Sequence, residues 1–346
     1  MSKILLDVNL LSRHGKYLKI LLITVLYTFV FSTITRAESI KGEIVTIISA
    51  NSAGGMMTRY ARMIAPYIKK HSGAADVRIK IMTGGGGIRG TNFLWFEEPD
   101  GKTIAFTSIP SLILAQLSGS EAVQFDATDL TYLGRAATEP RVLTVGATSS
   151  ILHINDARTL DRPFIFPSQG TDEDFYSMAV LADVLDMEIK IINGYDGNSD
   201  TALAVIKGDG DGHITGWSAS EAIIEAGDER PILTLSQERY RLYPNIPTAL
   251  EVVEGDSRQA VQAIVNMLDM RRGFFGPPNL DPIATEELRM AISAALNDPE
   301  LIEQSKLAGL PLLPSDGKAE QQKIGQITEA SQIIVPILEA ALHAIL

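Results

Sequence analysis

The chain has 346 residues, 45% hydrophobic and 21% charged, which is enough for two compact units that each bury a core. Its formal charge of −12, with no basic stripe, excludes a nucleic-acid binder. The lack of cysteine excludes disulfides, thiolate catalysis and Cys-bound metals.

Residues 1–37 read as an export signal. Lys3, Arg13, Lys16 and Lys19 precede the apolar run Ile20 to Ile34, and Thr35-Arg36-Ala37 follows it. The basic region is long, so a retained anchor is the alternative to cleavage. Cleavage would remove five Lys/Arg and one Asp and leave a net charge of −16. No later run reaches the length of a membrane span, so the expected location is a periplasm.

Ile44 to Ile48 is a β-branched run of the buried-strand kind. It enters the loop Ser49 to Gly55 and then a helical pattern from Met56 to Lys70. Val77 to Met82 is the second strand. Gly84-Gly85-Gly86-Gly87-Ile88-Arg89-Gly90 follows, then a helical stretch from Thr91 to Glu98. Pro99-Asp100-Gly101 turns the chain into a third strand, Lys102 to Thr107. Strands alternating with helices predict an α/β fold with a largely parallel sheet. Leu130–Leu133 and Val142–Val145 read as further strands.

A second unit starts at Arg162 to Phe166. Its loop Ser168-Gln169-Gly170-Thr171-Asp172 opens a helix from Glu173 to Leu185. Ile189–Ile192, His213–Trp217 and Pro231–Leu235 are its other strands, with a helix from Thr201 to Ile206. Gln237 to Pro247 is a polar, proline-bearing loop. A last strand precedes Pro277-Pro278, and residues 282–297, 298–307 and 319–346 read as helices. No internal repeat is visible.

The glycine run contains G-x-G-x-x-G, but the next strand ends Phe106-Thr107-Ser108, without the acid that would hold a ribose. That weighs against a nucleotide- or phosphate-dependent enzyme. Asp196 to Asp200 imitates a calcium loop and then places Thr201 and Lys207 where Gly and Glu are needed. The histidines are scattered, and no nucleophile elbow is present. Neither a metal, a cofactor nor an enzymatic activity is expected. What recurs is glycine or serine at helix starts, a seat for an anion. Two such units facing each other would hold a small carboxylate between them.

The order of these pieces resembles the extracytoplasmic solute-binding receptors of tripartite tricarboxylate transporters, the TctC-like or Bug family. The family's Gly-Gly-x-x-Asp-x-x-x-Arg is met by Gly54-Gly55 and Arg62, with Thr58 at the Asp position. Its Gly-Ala-Gly-Gly-x-x-Gly and Pro-Asp-Gly-x-Thr are met by Gly84 to Gly90 and Pro99 to Thr103; the Asn ahead of the glycines is Ile81 here. Its Ser-x-Gly-x-Gly-Ser-x-x-His begins at Ser168-Gln169-Gly170 and departs at Asp172, Glu173 and Tyr176. Gly194-Tyr195-Asp196-Gly197, Pro244 to Thr248 and Gly273 to Pro278 continue the series, and Asp298-Pro299-Glu300 and Ala308-Gly309-Leu310 echo its end.

The resemblance implies a two-lobed, type II-like clamshell, each lobe a mostly parallel sheet flanked by helices. Residues 42–143 with 273–346 would form the first lobe and 144–272 the second. It implies a periplasmic, non-enzymatic receptor, monomeric, that delivers a small organic carboxylate to membrane permease subunits. A clamshell sensor for a membrane kinase is the alternative. Ser49, Asn51, Gly54, Gly55, Ser168, Gly170, Thr171, Tyr195 and Gly197 are the ligand candidates carried over. Thr107 and Ser108 are added from their place after the third strand. The glycine run is expected to wall the cleft more than to touch the ligand. Asp172, Glu173 and Asp174 are either helix caps or, if they face the cleft, a preference for a solute with an amine or neutral end.

Overall fold

β-branched Ile44, Val45, Ile47 and Ile48 form the centre of β1 (Ile44–Ser49), which pairs in parallel with β2 (Asp76–Ile81) and β3 (Thr103–Thr107). The computed structural model describes residues 39–344, and the candidate export signal lies outside the described residues. Helix α1 (Met56–Ser72) links β1 to β2 and buries Tyr60, Ile64 and Ile68 in a cluster with Val45 and Ile47. The glycine run leads from β2 into α2 (Ile88–Trp95), and β3 runs directly into α3 (Ile109–Leu117).

Helix α3 has no amphipathic signature in the sequence. All of its residues from Ile109 to Ala115 are buried, so no polar face marks its period.

The first sheet is completed from the far end of the chain. β10 (Gly273–Gly276) inserts between β3 and β4 (Thr131–Arg135), antiparallel to both, and β11 (Ser315–Asp316) pairs with the other side of β4. The strand order is β11-β4-β10-β3-β1-β2. Phe274 of β10 sits opposite Phe106 of β3, with ring centroids 4.3 Å apart and both side chains fully buried. That cross-strand pair fixes the returning strand in register.

The middle of the chain builds a separate set of strands. β5 (Arg141–Gly146) lies between β8 (Gly212–Gly216) and β9 (Glu229–Leu235), antiparallel to each. β6 (Phe164–Ser168) pairs in parallel with β7 (Ile189–Asn193). Asp211 N, in the turn before β8, donates to Ile165 O at 2.8 Å and ties the two pieces together. Helices α4 (Ile154–Arg158), α5 (Glu173–Val184), α6 (Asn198–Lys207), α7 (Trp217–Ala226) and α8 (Gly255–Leu268) complete this half. The sequence reading ends a strand on Trp217; in the structure the strand stops at Gly216 and Trp217 begins α7.

After β10 come α9 (Pro282–Leu296), α10 (Pro299–Leu307), α11 (Gly317–Ala330) and α12 (Val335–His343). A short 3-10 turn, Ser331–Ile334, divides the last two, where the sequence suggests one continuous helical stretch.

The chain passes between the two sets of strands over residues 136–140 and 269–272. The passages are bonded to each other: Ala136 N donates to Arg272 O at 2.9 Å, and Arg135 Nη1 to Asp269 O at 2.7 Å.

A buried polar trio anchors α6 to the second set of strands. Thr201 Oγ1 lies 2.9 Å from His213 Nδ1, and His213 Nε2 lies 3.1 Å from Glu229, with each residue at most 3% exposed. The residue types suggest hydrolytic chemistry, but the trio is sealed from solvent and holds α6, β8 and β9 together. Thr201→Val keeps the shape and leaves a ring nitrogen unpaired, so a loss of about 1–3 kcal/mol is expected in urea unfolding. An unchanged midpoint would show that the hydroxyl contributes nothing.

Candidate functional site

The first half of the site is the C-terminal end of β1 and β3. Ser49, the last residue of β1, is fully buried, and its hydroxyl lies 2.8 Å from Thr58 Oγ1. Thr58 Oγ1 donates in turn to Asn51 O at 3.1 Å, and Arg62 Nη1 to Ala53 O at 2.8 Å. These bonds fold the loop back over the start of α1, whose cap residue Gly55 supplies no side chain to its N–H groups. Asn51 and Gly54 are exposed on the rim.

Gly84, Gly85, Gly86 and Gly87 all have positive φ, at 131°, 58°, 61° and 114°, a path that side chains resist. It brings Gly87 against both strand ends. A Cβ at Gly87 would stand 3.0 Å from Thr107 Oγ1 and 3.4 Å from Ala50 Cβ. Gly87 caps α2 beside Thr107, also without a side-chain bond, but the first N–H groups of that helix are already taken, Ile88 N donating to Gly85 O and Arg89 N to Gly84 O.

The second half of the site comes from the loop after β6. Gly170 N donates to Ser168 Oγ at 3.1 Å, and Tyr195 N to Ser168 O at 3.3 Å. Asp172 caps α5, its Oδ1 accepting from Asp174 N and Phe175 N at 3.1 Å each. Gly197 caps α6 beside this loop, where Gln169 reaches Asn198.

The halves meet at Gly86. A Cβ there would stand 3.5 Å from Thr171 O and 3.5 Å from Asp172 Cβ. The structure therefore gathers Thr107, Ser108 and Thr171 around the glycine run, with Ser168 and Gly170 one step behind. Ser49 lies beneath them, bonded to Thr58. The glycine run is one place where the first half touches the second; Ser108 and Ser111 of the first half also meet Glu173 of the second. The sequence does not reveal the Gly86 contact, because the partner lies more than 80 residues away.

The sequence model of the tripartite tricarboxylate transporter family receptors, TctC, matches residues 60–340. The chain belongs to this family. None of the curated proteins matches the chain. Among solved structures, the periplasmic binding protein BugD is similar at 17% identity, with a TM-score of 0.68 over 85% of this chain and 97% of that one. MatC from Rhodopseudomonas palustris, solved with malate, is 16% identical with a TM-score of 0.66, covering 87% and 99%. A further R. palustris protein, solved with adipate, is 19% identical with a TM-score of 0.66, covering 86% and 97%. At these identities the likeness is one of fold, that of the two-lobed periplasmic binding proteins. The family is one of receptors.

In this TctC-family chain buried ions cluster at the start of α5. The three acids at the start of α5 divide their roles, because Asp172 is the cap while Glu173 and Asp174 point inward. Asp174 contacts Arg141, and Glu173 Oε1 lies 3.0 Å from Arg271 Nη2. Glu173 Oε2 accepts from Ser108 Oγ at 2.8 Å and from Ser111 Oγ of α3. Glu139, in the first passage, contacts Arg272 of the second, and it accepts from Ser218 N at 2.9 Å and Ser218 Oγ at 3.0 Å at the start of α7. Sequence distance hides this cluster, which joins residues 139, 173 and 271 from three separate segments.

The environments split the acids. Burial pushes Glu139 up, but Arg272 and Arg271 outweigh it and hold the carboxyl at about 2. Burial raises Glu173 as well, and Arg271, Arg141 and the two serine hydroxyls bring it well below its usual value. Burial, and then the Glu173 charge, push Asp172 up. A depressed carboxyl stabilises the fold above its unfolded pKa, near 4.5, and loses that contribution as the pH falls toward its folded value. Glu139 is thus expected to withdraw about 3 kcal/mol between pH 4.5 and pH 2. Urea unfolding of the wild type and Glu139→Gln across that range checks it, since the two stabilities should converge in acid. A gap that stays constant would rule the ion pair out as its source.

Among the described residues no helix is long and apolar enough to cross a membrane. A groove of about 740 Å³ lies between α5, β7 and α12, lined by Ala179, Ala182, Met187, Ile191, Ile337 and Ala341. Asp183, Asp186 and Lys190 also line it, and none of the candidate ligand residues borders it.

Proposed function

We propose that this protein is a non-enzymatic receptor, exported by residues 1–37 to the periplasm, that captures a small carboxylate-bearing solute between its lobes and delivers it to tripartite tricarboxylate-type permease subunits. Family membership supports the transport role. The malate and adipate bound by structural relatives support the carboxylate.

The observation that carries this reading is the meeting of Gly86 with Thr171 and Asp172 beyond the strand ends. There the first turn of α1 opens without a side-chain cap. Backbone N–H groups at such turns favour an anion. Ser49, Asn51, Gly54, Gly55, Thr107 and Ser108 would serve the ligand from one lobe, directly or as support. Ser168, Gly170, Thr171, Tyr195 and Gly197 would serve it from the other. The strands β1–β4 with β10 and β11 make one lobe and β5–β9 the other, with the crossings at residues 136–140 and 269–272. The receptor works as a monomer.

A thermal-shift screen of the mature chain against carboxylates, amino acids and aromatic acids tests the proposal. A true solute raises the midpoint progressively, reaching about 2.7 kcal/mol of added stability at a hundredfold excess over Kd. A flat response to every carboxylate-bearing compound would overturn it.

A further inference from the structure

The start of α5 delivers a carboxylate into the other lobe. Glu173 belongs to the second lobe, yet its Oε2 is held by Ser108 and Ser111, the cap and the third residue of α3 in the first. Arg271, from the passage between lobes, holds Oε1 at 3.0 Å. Ser108, Ser111, Arg271 and Glu173 are each at most 7% exposed. Ser108 makes no capping bond to its own helix, so the group that settles at the start of α3 is the Glu173 side chain. Two hydroxyls, a guanidinium and an open helix start are the parts from which a carboxylate seat is made. Here the protein fills that seat itself.

The seat borders the cleft. Ser108 follows Thr107, which touches Gly87, and Glu173 follows Asp172, which touches Gly86. The guanidiniums nearby are matched as well, Arg141 by Asp174 and Arg272 by Glu139. Asp172 is a further acid at this end, with no ion-pair partner among the described residues, and burial and then the Glu173 charge push its carboxyl up. Arg141, Arg271 and Arg272 keep buried nitrogens without a hydrogen-bond partner, but each already faces an acid, so a second solute carboxylate would have to compete with Asp174, Glu173 and Glu139 for them.

Resting on the receptor function proposed above, we infer that Glu173 is a specificity-determining residue: its carboxylate occupies the anion seat formed by Ser108, Ser111 and Arg271, and so directs the receptor to solutes with one carboxylate and a cationic or hydrogen-bond-donating far end. The single carboxylate of the solute goes to the uncapped first turn of α1 in the first lobe. The far end goes to Asp172.

The seat and the selectivity are tested separately. Glu173→Ala empties the seat, so formate, at ionic strength matched with chloride, should raise the melting midpoint of that variant and not of the wild type. A formate response equal in the two chains would overturn the seat. Selectivity is read by calorimetry with pairs matched in length: succinate against 4-aminobutyrate, glutarate against 5-aminopentanoate, and adipate against 6-aminohexanoate. The wild type should prefer the amino acid of the best-binding pair by about tenfold or more, and Glu173→Ala should narrow or reverse that preference.

Glu173→Gln keeps the shape and the hydroxyl contacts. It provides the same comparison should the alanine chain fold poorly. A wild type that favours the dicarboxylate of each pair would overturn the inference and leave the carboxylate receptor standing. Failure of every carboxylate, in these pairs and in the wider screen, would instead remove the functional reading beneath it.

Discussion

Replacing Arg271 with Met is expected to cost the receptor about 3–5 kcal/mol of stability at neutral pH, measured by urea unfolding. Arg271 is the cation shared by the passage between lobes and the start of α5. Its Nη2 lies 3.0 Å from Glu173 and its Nη1 3.8 Å from Glu139. Methionine fills much the same volume and leaves the Glu173 carboxylate in a dry site without its nearest charge, which is where most of the cost arises. The double variant Arg271→Met/Glu173→Gln should recover a substantial part of the loss, because the uncompensated charge is gone. Strict additivity of the two single changes would show that the residues act separately, contrary to the contact seen.

Gly86→Val is expected to weaken binding of the solute found by thermal shift by about a hundredfold or more, equivalent to roughly 3 kcal/mol. The backbone at Gly86 has φ 61°, and holding a β-branched residue there costs on the order of 1–3 kcal/mol. The added methyls would also press on Thr171 O and on Asp172, which lie 3.5 Å from the position of the first carbon alone. Alanine is the control: its Cβ makes ordinary contacts, so it reports the backbone cost without a wedge between the lobes. Calorimetry giving the valine and wild-type chains equal affinity would show that the glycine run is not part of the cleft.

Much of the fold is legible where local pattern and final environment agree. The β-branched run of β1, the glycine turn after β2 and Asp100-Gly101 before β3 each announce themselves, and the structure uses them in that order. Legibility fails where pairing is distant or burial is uniform. Nothing in Gly273 to Gly276 says that it will run antiparallel between β3 and β4, because the deciding contact, Phe274 on Phe106, spans about half of the chain. Helix α3 is silent because it is apolar on every side. At the site, the loops were visible as glycine and serine at helix starts. The acids of α5 had two readings, cap or cleft, and the structure divides them, with Asp172 the cap and Glu173 reaching across to Ser108. Only three-dimensional proximity to Arg271 and Arg141 decides between such readings.

The aromatic stack at the start of α7 gives the receptor an optical probe of its own. Trp217 stacks on both Tyr240 and Tyr243, with centroid separations of 4.5 and 4.7 Å, and it is almost wholly buried. The next residue, Ser218, grips Glu139 of the passage between the lobes. The chain has two tryptophans, and the other, Trp95, ends α2. A Trp95→Phe chain would thus carry a single tryptophan seated beside the passage between the two sets of strands. Its fluorescence would follow opening and closing in solution without any attached dye.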